Sequence, residues 1–180
     1  MGGSLGGRRL KAPAGRSTRP TAERVREAVF SILGPPDDAA VVLDLFAGAG
    51  ALGLESLSRG ARRAVFVDSS RAAVRVLREN IASLDVADAT SVHCADVSRA
   101  LARIAGPFGW IFVDPPYASD LASTCLETLG AGRLVGREGV VIVEHDRRNA
   151  PDSEHGCLVR TDRRRYGDTE VSFYQRTRSQ

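Results

Sequence analysis

The chain has 180 residues, of which 43% are hydrophobic and 26% are charged, and its formal net charge is +3. This length suits one domain with a real core, and this composition is typical of a soluble globular protein. The sequence shows no apolar run long enough for a membrane span, and its Gly- and Arg-rich start is unlike a signal peptide. Three widely separated cysteines argue against a disulfide framework and a zinc cluster. We therefore expect a cytoplasmic protein without a bound metal.

Apolar strands alternate with amphipathic helices along most of the chain. Residues 1–18 have no apolar periodicity and are predicted to form a flexible basic arm. A helix follows, with a cap at Pro20-Thr21 and a stop at Gly34. The next predicted strands are Val41–Leu45, Ala64–Val67, Thr90–His93, Trp110–Val113 and Val140–Glu144. The helices predicted between them are Ala51–Ser58, a helix with Val74, Leu77, Ile81 and Leu84 on one face, Val97–Ile104 and Leu121–Leu129. This alternation predicts a parallel, doubly wound sheet.

The last two predicted strands break that alternation. Cys157–Thr161 and Thr169–Tyr174 have only Arg163–Asp168 between them, which is too short for a parallel crossover and predicts an antiparallel hairpin. We therefore predict an α/β, Rossmann-like fold over residues 19–180, with a mostly parallel seven-stranded sheet and an antiparallel last strand.

Positive charge is concentrated near the N-terminus. Residues 1–26 carry seven basic side chains against Glu23 alone, whereas the rest of the chain is mildly acidic. A basic arm on an acidic body indicates a polyanionic partner, with a solvated tail as the alternative. A second basic cluster, Arg160 with Arg163–Arg165, favours a binding face.

A glycine-rich loop follows the first predicted strand. Gly48, Gly50 and Gly53 form a G-x-G-x-x-G pattern, and Asp68 follows the second strand, where a carboxylate accepts from ribose hydroxyls. This pattern suits NAD and other adenosyl cofactors equally. Asp44, just before the glycines, favours a cofactor with a cationic end such as S-adenosylmethionine, because its carboxylate would repel a pyrophosphate.

Asp96 follows the third predicted strand and has two open interpretations. Its carboxylate could accept from an adenine amino group while the Val97 N–H donates to the ring, or it could cap the next helix. Capping is also the alternative for Asp44, but there we favour the ligand role because other cofactor-type features occur in register with it.

The segment Asp114-Pro115-Pro116-Tyr117 follows the apolar strand Trp110–Val113. Open α/β sheets bind their ligands at this end of a strand, and two prolines hold the backbone extended and stiff. A carboxylate, free carbonyls and an aromatic ring at one point suit a flat base that carries an exocyclic amine. The alternative is a rigid strand-to-helix turn.

These segments together resemble the class I S-adenosylmethionine-dependent methyltransferases. Asp44–Gly50, Asp68, Asp96 and Asp114–Tyr117 occur in the same order and between the same elements as in that class. The D-P-P-Y form resembles the branch that methylates exocyclic amines.

Further runs resemble a narrower family. Thr18–Thr21, Arg24–Phe30 and Tyr166–Thr169 are similar to the bacterial RsmD family of 16S ribosomal RNA guanine-N2 methyltransferases, whose target is guanine 966. The resemblance extends from about Gly6 to Tyr174. It implies S-adenosyl-L-methionine as cofactor and 16S rRNA, the small ribosomal subunit or its assembly intermediate as partner. We also expect a monomer that does not contact membranes.

The resemblance implies a role for each matched residue. The catalytic residues are then Asp114, Pro115, Pro116 and Tyr117, with the Asp114 carboxylate and the Pro115 carbonyl accepting the amine hydrogens and Tyr117 stacking on the base. The cofactor-binding residues are Asp44, Phe46, Ala47, Gly48, Gly50, Asp68, Ser69, Asp96, Val97 and Asp114. The expected RNA-binding residues are Arg8, Arg9, Lys11, Arg16, Arg19, Arg24, Arg163, Arg164 and Arg165.

Three other functions stay open at this point. An amine methyltransferase acting on DNA adenine or protein glutamine would usually carry Asn in place of Asp114. An NAD-dependent oxidoreductase would bind NAD and not S-adenosylhomocysteine. A non-catalytic RNA-binding protein on the same fold is disfavoured by the intact Asp44, Asp68 and Asp114.

Overall fold

The computed structural model describes residues 1–12, 20–116 and 120–177. In this part of the chain, five α-helices and eight strands form one α/β unit. The helices are α1 (Pro20–Leu33), α2 (Ala51–Ser58), α3 (Arg71–Leu84), α4 (Val97–Leu101) and α5 (Leu121–Ala131). The strands are β1 (Val41–Leu45), β2 (Arg63–Asp68), β3 (Thr90–Cys94), β4 (Phe108–Val113), β5 (Val135–Asp146), β6 (Glu154–His155), β7 (Leu158–Tyr166) and β8 (Thr169–Arg176). None of the helices described is long and apolar enough to cross a membrane.

All eight strands belong to one sheet, in the order β3-β2-β1-β4-β5-β8-β7-β6. The first five strands are parallel, and β8 is antiparallel to β5. The fold class predicted from the sequence is therefore confirmed. The sheet has one strand more than predicted, because the two residues of β6 pair with the start of β7 and are too few to leave an alternating pattern.

Three predicted boundaries are wrong in detail. The strand β5 begins at Val135, where backbone pairing with Phe108 starts, rather than at Val140. The helix α4 ends at Leu101 and not at Ile104, so its last predicted turn is absent. The predicted link Arg163–Asp168 is mostly strand, since β7 continues to Tyr166 and the chain turns at Gly167 and Asp168.

Hydrophobic side chains cover both faces of the parallel strands. Leu43 and Leu45 of β1 point to the face covered by α4 and α5, whereas Val42 points to the opposite face. On that opposite face, Trp110 packs edge-on against Phe30 of α1 with ring centroids 6.0 Å apart. Trp110 is thus a core residue, as expected from its place in an apolar strand.

Residues 1–12 lie against α2 and α3. The Gly2 N–H donates to Glu55 Oε1 at 2.9 Å, the Leu5 N–H donates to Ser58 Oγ at 2.9 Å, and Met1, Leu5 and Leu10 pack on the core beneath these helices. Sequence patterns do not reveal these contacts, because they join backbone groups to side chains that are distant along the chain. Residues 13–18 of the predicted arm lie outside the described residues, and its boundary stays a prediction.

Candidate active site

The turn from β1 to α2 is held in an unusual backbone conformation. Phe46, Gly48 and Gly50 all have positive φ angles, of 60°, 56° and 85°. Such a φ is common for glycine but costs energy at Phe46, and strain of this kind clusters at ligand sites. Hydrogen bonds from the Ala47 N–H to the Val67 carbonyl (2.9 Å) and from the Gly48 N–H to Asp68 Oδ2 (2.8 Å) fix the loop to β2.

The three glycines of the loop meet different surroundings. A Cβ placed on Gly50 would lie 2.3 Å from Leu77 Cδ1, and one on Gly53 would lie 2.3 Å from Phe66 Cε1. These two glycines therefore permit close packing of the loop and helix α2. A Cβ on Gly48 would meet nothing nearer than the Phe46 carbonyl oxygen at 4.0 Å. Gly48 thus borders open space that a ligand can enter.

Asp44 is buried at the end of β1, beneath the glycine loop. Its side chain is 2% exposed, and its Oδ2 accepts a hydrogen bond from the Gly53 N–H at 2.9 Å. Burial raises the pKa of Asp44 to about 7, the charge of Asp68 raises it further, and the bond from Gly53 opposes both. The carboxylate thus accepts a hydrogen bond from an N–H in the first turn of α2. A bound cation would favour its ionised form. Its role toward a cofactor stays a prediction.

Asp68 joins the glycine loop to the start of α3. Its two carboxylate oxygens accept from the Gly48 N–H and from the Ser70 N–H, each at 2.8 Å. Ser69 lies beside it and is exposed. Because each carboxylate oxygen has a second lone pair, these bonds leave capacity for ribose hydroxyls.

Asp96 caps helix α4. Its Oδ1 accepts from the Ser98 N–H at 3.0 Å and from the Arg99 N–H at 3.3 Å. The capping interpretation is therefore observed, while the adenine contact of Asp96 and the Val97 N–H stays a prediction. The cap bonds do not involve the Val97 N–H.

Asp114 follows β4 and faces a small cavity at the carboxyl edge of the sheet. The cavity has a volume of about 110 Å³. Its lining residues come from α1, α2, β4, β5 and β8 and are Val25, Arg26, Val29, Ala51, Leu52, Phe112, Val113, Asp114, Ile142, Glu144 and Val171. Pro115 is buried and Pro116 is exposed, whereas Tyr117 lies outside the described residues. The end of the glycine loop and Asp114 thus share one cavity.

Two charged residues, Glu144 and Arg26, line this cavity in addition to Asp114. Glu144 follows Val143, which the register pairs with Val113 just before Asp114, and both carboxylates line the cavity. Arg26 is half-buried and lines the cavity, whereas the predicted Arg24 is exposed. Glu144 ends the predicted strand Val140–Glu144, and a carboxylate at that point is the signal that could have identified it.

The predicted RNA-binding arginines of the terminal hairpin differ from one another. Arg163 forms a salt bridge with the buried Glu170, and Arg164 pairs with Asp162 at 2.9 Å. Arg165 donates from Nε to the Gly167 carbonyl at 3.0 Å. The Arg163 side chain therefore neutralises a buried carboxylate of the fold, while the positive charge of Arg165 stays exposed at the surface.

The described basic residues of the arm lie along α3. Arg8 donates to the Ser83 carbonyl at 3.0 Å, Lys11 pairs with Glu79 at 3.0 Å, and Arg9 is exposed. Arg16 and Arg19 lie outside the described residues. The described ranges contain no group of three or more His, Cys, Asp and Glu side chains arranged to hold a metal ion.

Comparison with known proteins identifies the family. The family model described as "Conserved hypothetical protein 95" matches residues 1–175. The chain belongs to this family. It is the RsmD family that the motifs resemble, so that interpretation is confirmed. S-adenosyl-L-methionine is the cofactor expected for its members.

Individual relatives match over most of the chain. The chain is 38% identical to the YlbH protein of Bacillus subtilis over 179 residues, which cover 98% of this chain and 97% of that protein. It is 38% identical to "Ribosomal RNA small subunit methyltransferase D" of Escherichia coli over 149 residues, which cover 83% and 75%. The solved structure of the yhhF protein of Escherichia coli superposes with a TM-score of 0.86 at 30% identity, covering 99% of this chain and 97% of that one.

The residues of the loop fit this cofactor. Gly48 borders open space, and Asp68 is fixed at the end of β2 with lone pairs for hydroxyl groups. Asp44 supplies a buried carboxylate of the charge that suits an ammonium or a sulfonium group.

Proposed function

We propose that this protein methylates the exocyclic N2 amine of a guanine, guanine 966, in the 16S rRNA of the small ribosomal subunit. The observation that carries this proposal is the cavity that Asp114 shares with Ala51 and Leu52, the first residues after the glycine loop. A cofactor on that loop and an amine held at Asp114 would lie side by side. The rRNA substrate is supported by the family and by the printed name of the Escherichia coli relative.

The amine of guanine is a weak nucleophile because its lone pair is delocalised into the ring. When bound, S-adenosylmethionine supplies a methyl group on a positively charged sulfur. In this scheme the Asp114 carboxylate and the Pro115 carbonyl accept the two amine hydrogens, which localises the nitrogen lone pair and directs it toward the methyl group. Gly48, Asp68 and Asp44 would hold the cofactor, which would supply the methyl group to the amine nitrogen, and the surplus amine proton would leave to water. Positioning contributes most of the rate enhancement in this scheme.

The rest of the cavity suits a flat base. Its walls include the apolar side chains of Val29, Leu52 and Phe112, while Arg26 and Glu144 add charge at its edge. Tyr117 would stack on the base, a contact worth about 1–3 kcal/mol. An acidic edge at Asp114 and Glu144 suits the guanine N1–H and N2–H donors, whereas adenine has an acceptor at N1 and no amine at C2.

Methyl transfer with identification of the product tests this proposal. The purified protein would be incubated with labelled S-adenosylmethionine and, separately, with small subunits, assembly intermediates, naked 16S rRNA and duplex DNA. We expect N2-methylguanine in one of the ribosomal substrates and no label in DNA. Methylated adenine, labelled protein or no transfer to any rRNA substrate would contradict it.

Ligand binding separates the methyltransferase from an oxidoreductase on the same glycine loop. We expect calorimetry to detect S-adenosylhomocysteine binding and no NAD binding. Tight NAD binding without S-adenosylhomocysteine binding would exclude the proposed reaction.

A further inference from the structure

A row of arginines lies on the outer face of α3, outside the cavity of Asp114. Arg71, Arg75 and Arg78 are one helical turn apart and exposed, and they line a shallow groove of about 620 Å³. Cys94, at the carboxyl end of β3, forms part of the opposite wall. These arginines carry no specific signal in the sequence, because an exposed basic helix face is common.

The charge of this groove is not neutralised locally. Within the described ranges, Arg71, Arg75 and Arg78 form no salt bridge, in contrast to Arg163 and Arg164 of the hairpin. Glu79 is the carboxylate on the groove, and it pairs with Lys11 at 3.0 Å. The groove therefore keeps a net positive charge.

The N-terminal residues extend the same basic face. Arg8 is bonded to the Ser83 carbonyl at the end of α3, and the Lys11 N–H donates to Asn80 Oδ1 at 2.9 Å. Positive side chains thus follow α3 on both flanks, one set supplied by the helix and one by residues 1–12.

The groove opens at the same edge of the sheet as the candidate active site. Helix α3 starts directly after Ser70, whose N–H is bonded to Asp68, so Arg71 lies at the cofactor end of the helix. Because an α-helix rises about 1.5 Å per residue, the row from Arg71 to Arg78 is about 10 Å long. Strand β3 is three strands from β4 in the sheet, so Cys94 is roughly 14 Å from the end of β4.

We propose that the groove of Arg71, Arg75 and Arg78 holds the sugar-phosphate backbone of the rRNA segment that flanks the target nucleotide. This inference rests on the proposed function. Arginine suits the role because its planar guanidinium group binds phosphate through two hydrogen bonds. Phosphate contacts position a nucleic acid and contribute salt-dependent affinity, whereas the base is selected elsewhere, at Asp114.

Charge reversal at Arg75 and Arg78 tests the groove, with Arg71 left unchanged because it adjoins Asp68. The control reverses two exposed arginines near the opposite edge of the sheet, Arg103→Glu with Arg137→Glu. Binding of a labelled 16S rRNA fragment would be measured over a range of salt concentrations, together with methyl-transfer kinetics and S-adenosylhomocysteine binding.

We expect Arg75→Glu with Arg78→Glu to weaken RNA binding roughly tenfold. The negative slope of log affinity against log salt should become shallower by about 1.5. The KM for RNA should rise while kcat and S-adenosylhomocysteine binding stay unchanged. An unchanged salt slope and KM would overturn the inference, as would equal losses in the control. Failure of the wild-type protein to methylate rRNA would instead refute the proposed function, since RNA binding is measured independently.

Cys94 offers a second test that needs no change in charge. It is exposed whereas Cys125 is buried, so a photo-crosslinker can be attached to it in a Cys157→Ser background. We expect crosslinks to rRNA close to the methylated nucleotide when small subunits or rRNA are the substrate. Crosslinks to ribosomal proteins alone, or no crosslinks, would overturn RNA as the occupant of the groove.

Discussion

The Asp44 carboxylate accepts a hydrogen bond from the Gly53 N–H at 2.9 Å, at a position where the carboxylate is almost fully buried. One residue at the end of β1 therefore supports the first turn of α2 and lies beneath the loop that is expected to hold the cofactor. An acid in this position is costly for the folded protein to ionise, and a bound cation would offset that cost.

We predict that Asp44→Asn makes the protein more stable at neutral pH and less able to bind its cofactor. The folded pKa of about 7 lies above the ordinary value of 3.8, so the wild-type protein loses stability as pH rises through this window. The variant should gain roughly 1–4 kcal/mol at pH 8 and little at pH 4, at about 1.4 kcal/mol per pKa unit. Chemical denaturation at both pH values and calorimetry with S-adenosylhomocysteine measure this, and a pH-independent difference would contradict it.

We predict that alanine at two glycines of the loop affects cofactor binding differently. Gly53→Ala places a Cβ against Phe66 and should destabilise the protein by about 1–3 kcal/mol. Gly48→Ala meets open space and should cost only about 1–2 kcal/mol from its positive φ, but should weaken cofactor binding at least tenfold. Thermal denaturation and S-adenosylhomocysteine titration compare the two, and equal losses of stability and affinity in both would show that the glycines do not differ in role.

We predict that Asp114→Ala lowers kcat by about 100-fold or more while S-adenosylhomocysteine binding changes little. The reason is that the carboxylate is expected to hold the amine, whereas most of the expected cofactor contacts come from other residues. Asp88→Ala, which removes an exposed carboxylate two residues before β3, is the matched control and should leave both unchanged. Single-turnover methylation of the rRNA substrate measures the effect, and near-normal turnover of the Asp114 variant would refute the mechanism.

We predict that two arginines of the hairpin act differently despite their similar sequence context. Arg163→Ala should destabilise the protein by about 1–3 kcal/mol, because Glu170 then stays buried without its partner. The loss is not larger because Arg163 is itself half-exposed. Arg165→Ala should leave stability unchanged and weaken RNA binding in a salt-dependent manner. Denaturant titration and RNA binding distinguish them, and an intact stability in the Arg163 variant would show that this ion pair contributes nothing to the fold.

We predict that His145 contributes to loss of stability in acid. Burial lowers its pKa below the ordinary 6.5, while Glu170 and the Asp146 carbonyl oppose this and Arg163 and Arg160 support it. The unfolded chain therefore takes up a proton near pH 6 before the folded protein does, and stability falls as pH decreases below 6.5. His145→Gln should flatten this part of the stability curve, as measured by denaturation between pH 5 and 8. An unchanged curve would show that other groups cause the acid sensitivity.

The sequence by itself determined the class of fold, the glycine loop and the carboxylates at the ends of the strands. Strands buried on both faces leave continuous apolar runs, and a residue that directly follows such a run must lie at the edge of the sheet. For this reason Asp44, Asp68 and Asp114 could be placed at one edge without coordinates.

Only the tertiary structure decided which side chains meet. The register between β4 and β5 brings Glu144 to the cavity of Asp114, the hairpin register brings Arg163 to Glu170, and the docking of residues 1–12 brings Lys11 to Glu79. Arg163 and Glu170 pair across a tight turn, whereas the other two pairs are distant along the chain. Local periodicity indicates how deeply a residue is buried but not what it contacts. The position of Asp44 was thus evident from its strand, whereas its burial and its bond to Gly53 followed from how α2 packs against β1.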